Sequence, residues 1–209
     1  MKKIIAIMLV LVIGLLAFTA CNKEDDDSQP TVDYGNYEPV EKFDEEKFKE
    51  TWSIGEITFA NGNKITLPCT VREFIENSGM RIPTPSVYEG KMYEPNKTFT
   101  VQLMGEDTKV RIECKNLGTD KGEYLDATVV GYSFRGSDIG NRQMTVAGGL
   151  TVGVSRADVE AVLGIPDGKT QEDSMYTYKK KGADNKTVRL SISFNASGDV
   201  GAIVYKSGK

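Results

Sequence analysis

The 209-residue chain has no histidine, three cysteines and one tryptophan. Lacking histidine, it has no ordinary general base near neutral pH, no Ser/His or Cys/His nucleophile pair and no imidazole for zinc. Cys21 follows an apolar run, and the two cysteines that remain are too few for a structural zinc site. A phosphate-binding loop is missing as well: GGLTVG at 148–153 supplies glycines but not the Lys and Ser/Thr that grip phosphate. Charged residues make up 27% of the chain, so acidic neighbours arise by accident, and no spacing singles out a glycosidase-like carboxylate pair. The expectation is a protein that is not an enzyme and holds neither cofactor nor metal.

Only one long apolar run is present, from Ile4 to Ala20, at the short limit for spanning a bilayer. Lys2 and Lys3 precede it, and Phe18, Thr19, Ala20 and Cys21 close it. This layout resembles a bacterial lipoprotein signal and its lipobox, with Phe18 where leucine is usual. The resemblance implies removal of residues 1–20 and acylation of Cys21, where two or more acyl chains hold a protein stably to a membrane. Residues 21–50 then read as an acidic tether, with eleven Asp and Glu against four Lys, within a chain of formal charge −4. The EDDD run at 24–27 reads as a solvated spacer rather than a cation site. The acidic cluster after Cys21 also resembles the surface-export signal of Bacteroidetes lipoproteins; a Gram-positive membrane anchor fits equally well. Residues 51–209 carry about +1, and EPVEKFDEEKFKETW can form a short helix on Phe43, Phe48 and Trp52.

Two segments carry complete helix signals. In GVSRADVEAVLGIP, Ser155 is an N-cap with Asp158 at the third position, Val154 and Val159 form a hydrophobic staple, Gly164 closes and Pro166 stops the helix. Val159, Val162 and Leu163 make one apolar stripe. In ITLPCTVREFIENSG, Thr70 and Glu73 form a capping box, Cys69 and Phe74 take the staple positions and Gly79 closes. Each cap contributes about 1 kcal/mol. Cap and closing glycine are equally spaced in the two copies, and ITFANGN and MTVAGG precede them, as in a duplicated unit.

The segments after the two helices are also alike. TFTVQLM, TKVRIECKN and YLDATVVGYSF come after the first; MYTYKK, TVRLSISF and VGAIVY come after the second. Phe99, Val101 and Leu103 alternate with polar residues, as do Val110, Ile112 and Cys114, and Val188, Leu190, Ile192 and Phe194. That is the pattern of antiparallel sheet with one covered and one wet face. The expected class is α+β, two tandem lobes at 51–136 and 143–206, each a short helix packed on an antiparallel sheet.

The run GVSRADVEAVLGIPD, the strand holding Tyr176 and Tyr178, and LSISFNASGDVGAIVY together resemble the SmpA/OmlA (BamE) type of outer-membrane assembly lipoprotein. The duplicated layout is similar to the β-lactamase inhibitor protein fold. These resemblances imply a lipid-anchored binding module of the envelope, or an inhibitor that uses the exposed sheet face.

Three functions are weighed: an extracytoplasmic adaptor contacting an envelope or secreted protein through the wet face, an inhibitor of a secreted hydrolase, and a small-ligand sensor. The adaptor is favoured. Its candidate face comprises Lys109, Arg111, Glu113, Arg189, Ser191 and Ser193, with Tyr176 and Tyr178 as aromatic anchors. Cross-strand packing is the plainer role for the two tyrosines. Lys179, Lys180 and Lys181 lead into a turn and read as solvated, so nucleic acid is not an expected partner. Cys69 and Cys114 both point toward the first core, either as a disulfide pair or as buried thiols.

Overall fold

Helix signals and alternation both appear where the residues place them. The computed structural model describes residues 41–105, 108–138, 144–170, 173–181 and 185–208, all within one compact unit, residues 34–209. Three α-helices are described: α1 (Glu45–Thr51), α2 (Val71–Ser78) and α3 (Arg156–Leu163). In α2, Thr70 Oγ1 accepts from the Glu73 amide at 3.1 Å while the Thr70 amide donates to the Glu73 carboxylate at 2.7 Å. The Thr70 amide and then the Thr70 hydroxyl, both donating to the Glu73 carboxylate, hold it below its ordinary value of 4.5. In α3, Ser155 Oγ accepts from the Asp158 amide at 3.2 Å and donates to its carboxylate at 2.8 Å. Gly79 closes α2 in the left-handed region, whereas Gly164 closes α3 at φ 67°, ψ −145°. Side chains clash in that second conformation, so Gly164 is required more strictly than a left-handed closure would demand.

The strands are β1 (Ile57–Phe59), β2 (Lys64–Ile65), β3 (Cys69–Thr70), β4 (Met92–Tyr93), β5 (Thr98–Met104), β6 (Lys109–Lys115), β7 (Gly122–Glu123), β8 (Thr128–Arg135), β9 (Met144–Val146), β10 (Gly168–Lys169), β11 (Met175–Lys181), β12 (Thr187–Phe194) and β13 (Val200–Lys206). Their main sheet runs β10-β11-β12-β13-β8-β6-β5, with β3 also paired to β8, and every pairing is antiparallel. The class is therefore α+β with mostly antiparallel sheet. On either side of the β8–β13 pair the order of elements mirrors itself: β6 then β5 on one side, β12 then β11 on the other. The entry strands ITF and MTV pair with each other in a smaller sheet, β2-β1-β9, matching Ile57 to Val146 and Phe59 to Met144.

The halves are not separate bodies. Main-chain bonds join β8 to β13, and Phe74 of α2 and Val159 of α3 enter one shared hydrophobic cluster. Phe74 is fully buried and meets Phe59 edge-on at 5.4 Å; burying such a ring contributes about 1.5–3 kcal/mol. Tyr205 crosses the core from β13 and donates its hydroxyl to the Ser53 carbonyl at 3.0 Å.

The fold begins earlier than the tether boundary at residue 50. Asp44 caps α1, accepting from the Lys47 amide at 2.9 Å, and Phe48 is completely buried. Residues 41–50 therefore belong to the folded unit, because Phe48 fills core volume no later residue supplies. The Gly148–Gly149 turn explains how α1 lies so close: both have positive φ, and a Cβ on either would strike the Lys42–Phe48 backbone. Gly148 and Gly149 of GGLTVG thus serve backbone packing.

Candidate binding face

Register across the main sheet assigns every side chain to a face. One row reads Val101, Ile112, Tyr132, Tyr205, Leu190 and Tyr178, all buried under the helices. The next residues along form the other face: Thr100, Glu113, Gly131, Lys206, Arg189 and Lys179 in one row. Beside it run Gln102, Arg111, Ser133, Val204, Ser191 and Thr177. Arg135, Ala202, Ser193 and Met175 continue the pattern.

The six polar candidates Lys109, Arg111, Glu113, Arg189, Ser191 and Ser193 therefore share this second face, across strands β6 and β12 on both sides of the seam. Lys109, Arg111 and Arg189 are exposed; Glu113, Ser191 and Ser193 are half-buried. The centre is low because the seam residues are small, with Gly131 and Ser133 on β8 and Ala202 and Val204 on β13. Two hollows result. One of about 300 Å³ is bounded by Arg111, Glu113, Ser133, Val204 and Lys206. The other, about 360 Å³, lies toward Lys179, Thr187, Arg189 and Ser207. Lys206 forms an ion pair with Glu113 across Gly131, and a Cβ at 131 would strike the Tyr205 carbonyl oxygen at 2.6 Å.

Tyr176 and Tyr178 do not belong to this face. Paired with Ile192 and Leu190, they share the parity of the covered side and are 2% and 4% exposed. Tyr176 donates to Glu160 of α3 at 2.7 Å and packs edge-on to Phe194 at 5.0 Å, with the Arg156 guanidinium 4.7 Å from the Phe194 centroid. The bond to Glu160, then burial, pushes the Tyr176 phenol up from 10.0. Burial pushes the Tyr178 phenol up to about 12, and its hydroxyl finds no hydrogen-bond partner among the described residues. Both tyrosines are buried on the covered side, where Tyr176 ties α3 to the sheet, and neither can serve as an anchor for a partner. Lys180, from the basic run, sits 6.0 Å from the Trp52 ring centroid.

Cys69 and Cys114 are free thiols. Both are matched to Val129, one on each side of β8. Two strand spacings of about 4.8 Å separate their backbones, beyond the roughly 7 Å that a disulfide can bridge. The intervening strand rules out the bond that an inward-facing pair had suggested. Burial pushes the Cys69 thiol up to about 12, with the Glu73 charge adding to it, and pushes Cys114 higher still. Cys21 and EDDD lie outside the described residues.

Three cations and the whole floor of the face escaped sequence reasoning: Arg135, Lys179 and Lys206, with Gly131, Ser133, Ala202 and Val204. The alternation in TVVGYSFR already grouped Gly131, Ser133 and Arg135, but nothing local announced that β8 neighbours β13. Among the described residues no three His, Cys, Asp or Glu side chains converge as a metal site would require. Nor is any described helix long and apolar enough to cross a membrane. Compared with known proteins, the chain matches no family model, no curated protein and no solved structure.

Proposed function

We propose that the chain is a lipid-anchored extracytoplasmic binding protein, held by acylated Cys21, that acts as an adaptor through protein–protein contact on the open face of its main sheet. One observation carries the reading: an eight-stranded sheet is buried on one side and left open on the other, where Arg111, Glu113, Lys179, Arg189 and Lys206, drawn from both halves, line two hollows. The anchor rests on residues 1–21, whose pattern resembles a lipoprotein signal.

Photo-crosslinking in the native cells tests the contact. A photoreactive residue at Ser133 or Ser191 is expected to capture one envelope protein, and the same residue at Lys49 of α1 to capture none. Equal capture at all three positions, or none at either face position, would overturn the adaptor reading. The anchor is tested separately by fractionation: Cys21→Ser should leave the membrane fraction.

A second reading draws on the mirrored strand order about the β8–β13 seam, which fits a duplicated unit of the β-lactamase inhibitor protein type. In that reading the same face blocks a secreted hydrolase. Inhibition of a hydrolase secreted by the same or a neighbouring cell, lost when the face is altered, would favour it.

A further inference from the structure

We infer that the occupant of the seam trough is an acidic segment of another protein, recognised through its carboxylates. This rests on the adaptor reading and names the chemistry of its partner.

The face has a charge the whole chain does not. Among the described residues, Lys109, Arg111, Arg135, Lys179, Arg189 and Lys206 stand on it against one carboxylate, Glu113, while the chain as a whole is formally −4. Lysines often line exposed strand edges to prevent sheet-to-sheet pairing. Here, however, Arg111, Arg135 and Arg189 lie on β6, β8 and β12, all interior strands of the sheet. Among the described residues none of these three arginines has an ion-pair partner, whereas Lys206 is engaged by Glu113. Three unpaired guanidinium groups are held apart on rigid strands. Such forks match carboxylates bidentately and lose little entropy on doing so.

The shape selects among anions. Small residues recess the floor below its cationic banks, so a protruding chain can enter where a flat lipid surface would touch only the rims. Arg111 and Arg189 are three strand spacings apart, about 14 Å, and two residues out of row along the strands, about 7 Å in that direction, or roughly 16 Å in all. An extended polypeptide rises about 3.4 Å per residue, so carboxylates about four to five residues apart reach both forks from a chain laid obliquely over the seam.

The test uses the full-length chain in neutral detergent micelles and fluorescent poly-L-glutamate as the probe, read by anisotropy at several salt concentrations. Binding should weaken as salt rises. R111E with R189E should weaken it by about 30-fold or more, and K49E with K91E, off the face, by less than about twofold. E113Q, which frees Lys206, should tighten it a few-fold. Absence of binding, or equal loss in the off-face pair, overturns the inference. So does arginine-dependent binding to phosphatidylglycerol vesicles without binding to poly-glutamate, which would assign the trough to lipid headgroups. Crosslinking from Ser133 in cells separates the two levels. A captured envelope protein that persists in the R111E/R189E variant sinks the acidic-partner inference and leaves the adaptor standing; no capture in the unaltered chain sinks the adaptor.

Discussion

Truncating Tyr176 to alanine should damage the fold and leave the open face intact. The ring is 2% exposed, lies edge-on to Phe194 and hydrogen-bonds Glu160. Replacing a buried aromatic with alanine costs about 3–5 kcal/mol, a large share of the roughly 5–15 kcal/mol that a domain has. Removing hydroxyls alone separates the two tyrosines. Tyr176→Phe breaks the 2.7 Å bond to Glu160, whose exposed acceptor limits the loss to about 0.5–1 kcal/mol. Tyr178→Phe deletes a buried hydroxyl with no described partner, so its effect should be neutral or slightly stabilising. Urea unfolding can be followed through Trp52, the single tryptophan, which is 7% exposed in the native fold. The midpoint should fall for Tyr176→Ala, fall slightly for Tyr176→Phe and hold or rise for Tyr178→Phe, with unchanged slopes. A Tyr176→Ala protein within about 0.5 kcal/mol of the parent, a value typical of surface substitutions, would refute the assignment of this ring to the covered face.

Other perturbations have equally definite outcomes. Gly149→Ala, at φ 90° against the Lys42 backbone, should destabilise by about 1–3 kcal/mol or more, measured by the same unfolding; no change would mean α1 does not pack there. Acid should weaken the fold through Glu41. Although burial pushes its carboxyl up, the Lys47 and Thr58 hydrogen bonds and the Lys64 charge outweigh that and leave it below 4.5. A depressed carboxylate contributes stability that is full above its unfolded value and lost as pH falls through the folded one. Midpoints recorded from pH 6 down past about pH 4 should therefore drop less steeply in Glu41→Gln than in the parent. Cys69 and Cys114 should resist alkylation at pH 8 in the native protein and both react in denaturant, with the same number of labelled thiols with and without reductant; a reductant-dependent count would contradict the free thiols.

Much of the fold was legible in local chemistry. Thr70 with Glu73, and Ser155 with Asp158, placed two helix starts because capping satisfies amides within three residues. Alternation in TKVRIECKN and TVRLSISF placed inward and outward faces because side chains in a strand alternate. The hidden part was non-local. Nothing near Val129 reveals that β3 and β6 flank the same strand, so the two inward cysteines looked bondable. Nothing in MYTYKK states that α3 needs Tyr176 beneath it, although Tyr176 and Tyr178 stand at alternate positions there and so share the parity of an inward side. Phe48 was noticed as a helix residue, but its place in the core depends on the distant Gly148–Gly149 turn. The face itself was half legible: β6 and β12 could be read alone, whereas the cationic trough exists only because β8 meets β13.

That central seam also governs when the chain can acquire its shape. Thr128–Arg135 can pair with β6 on one edge but must wait for Val200–Lys206 on the other, and Ile57–Phe59, paired with β2 on one edge, must wait for Met144–Val146 on the other. Pairings so distant in sequence are slow to form, and a nascent first half would carry unsatisfied sheet edges until the last strand was synthesised. Were the chain exported as the proposed anchor implies, such tardiness would be an advantage: a translocation machinery would receive a still-threadable chain, and assembly would finish only after the C-terminus had followed.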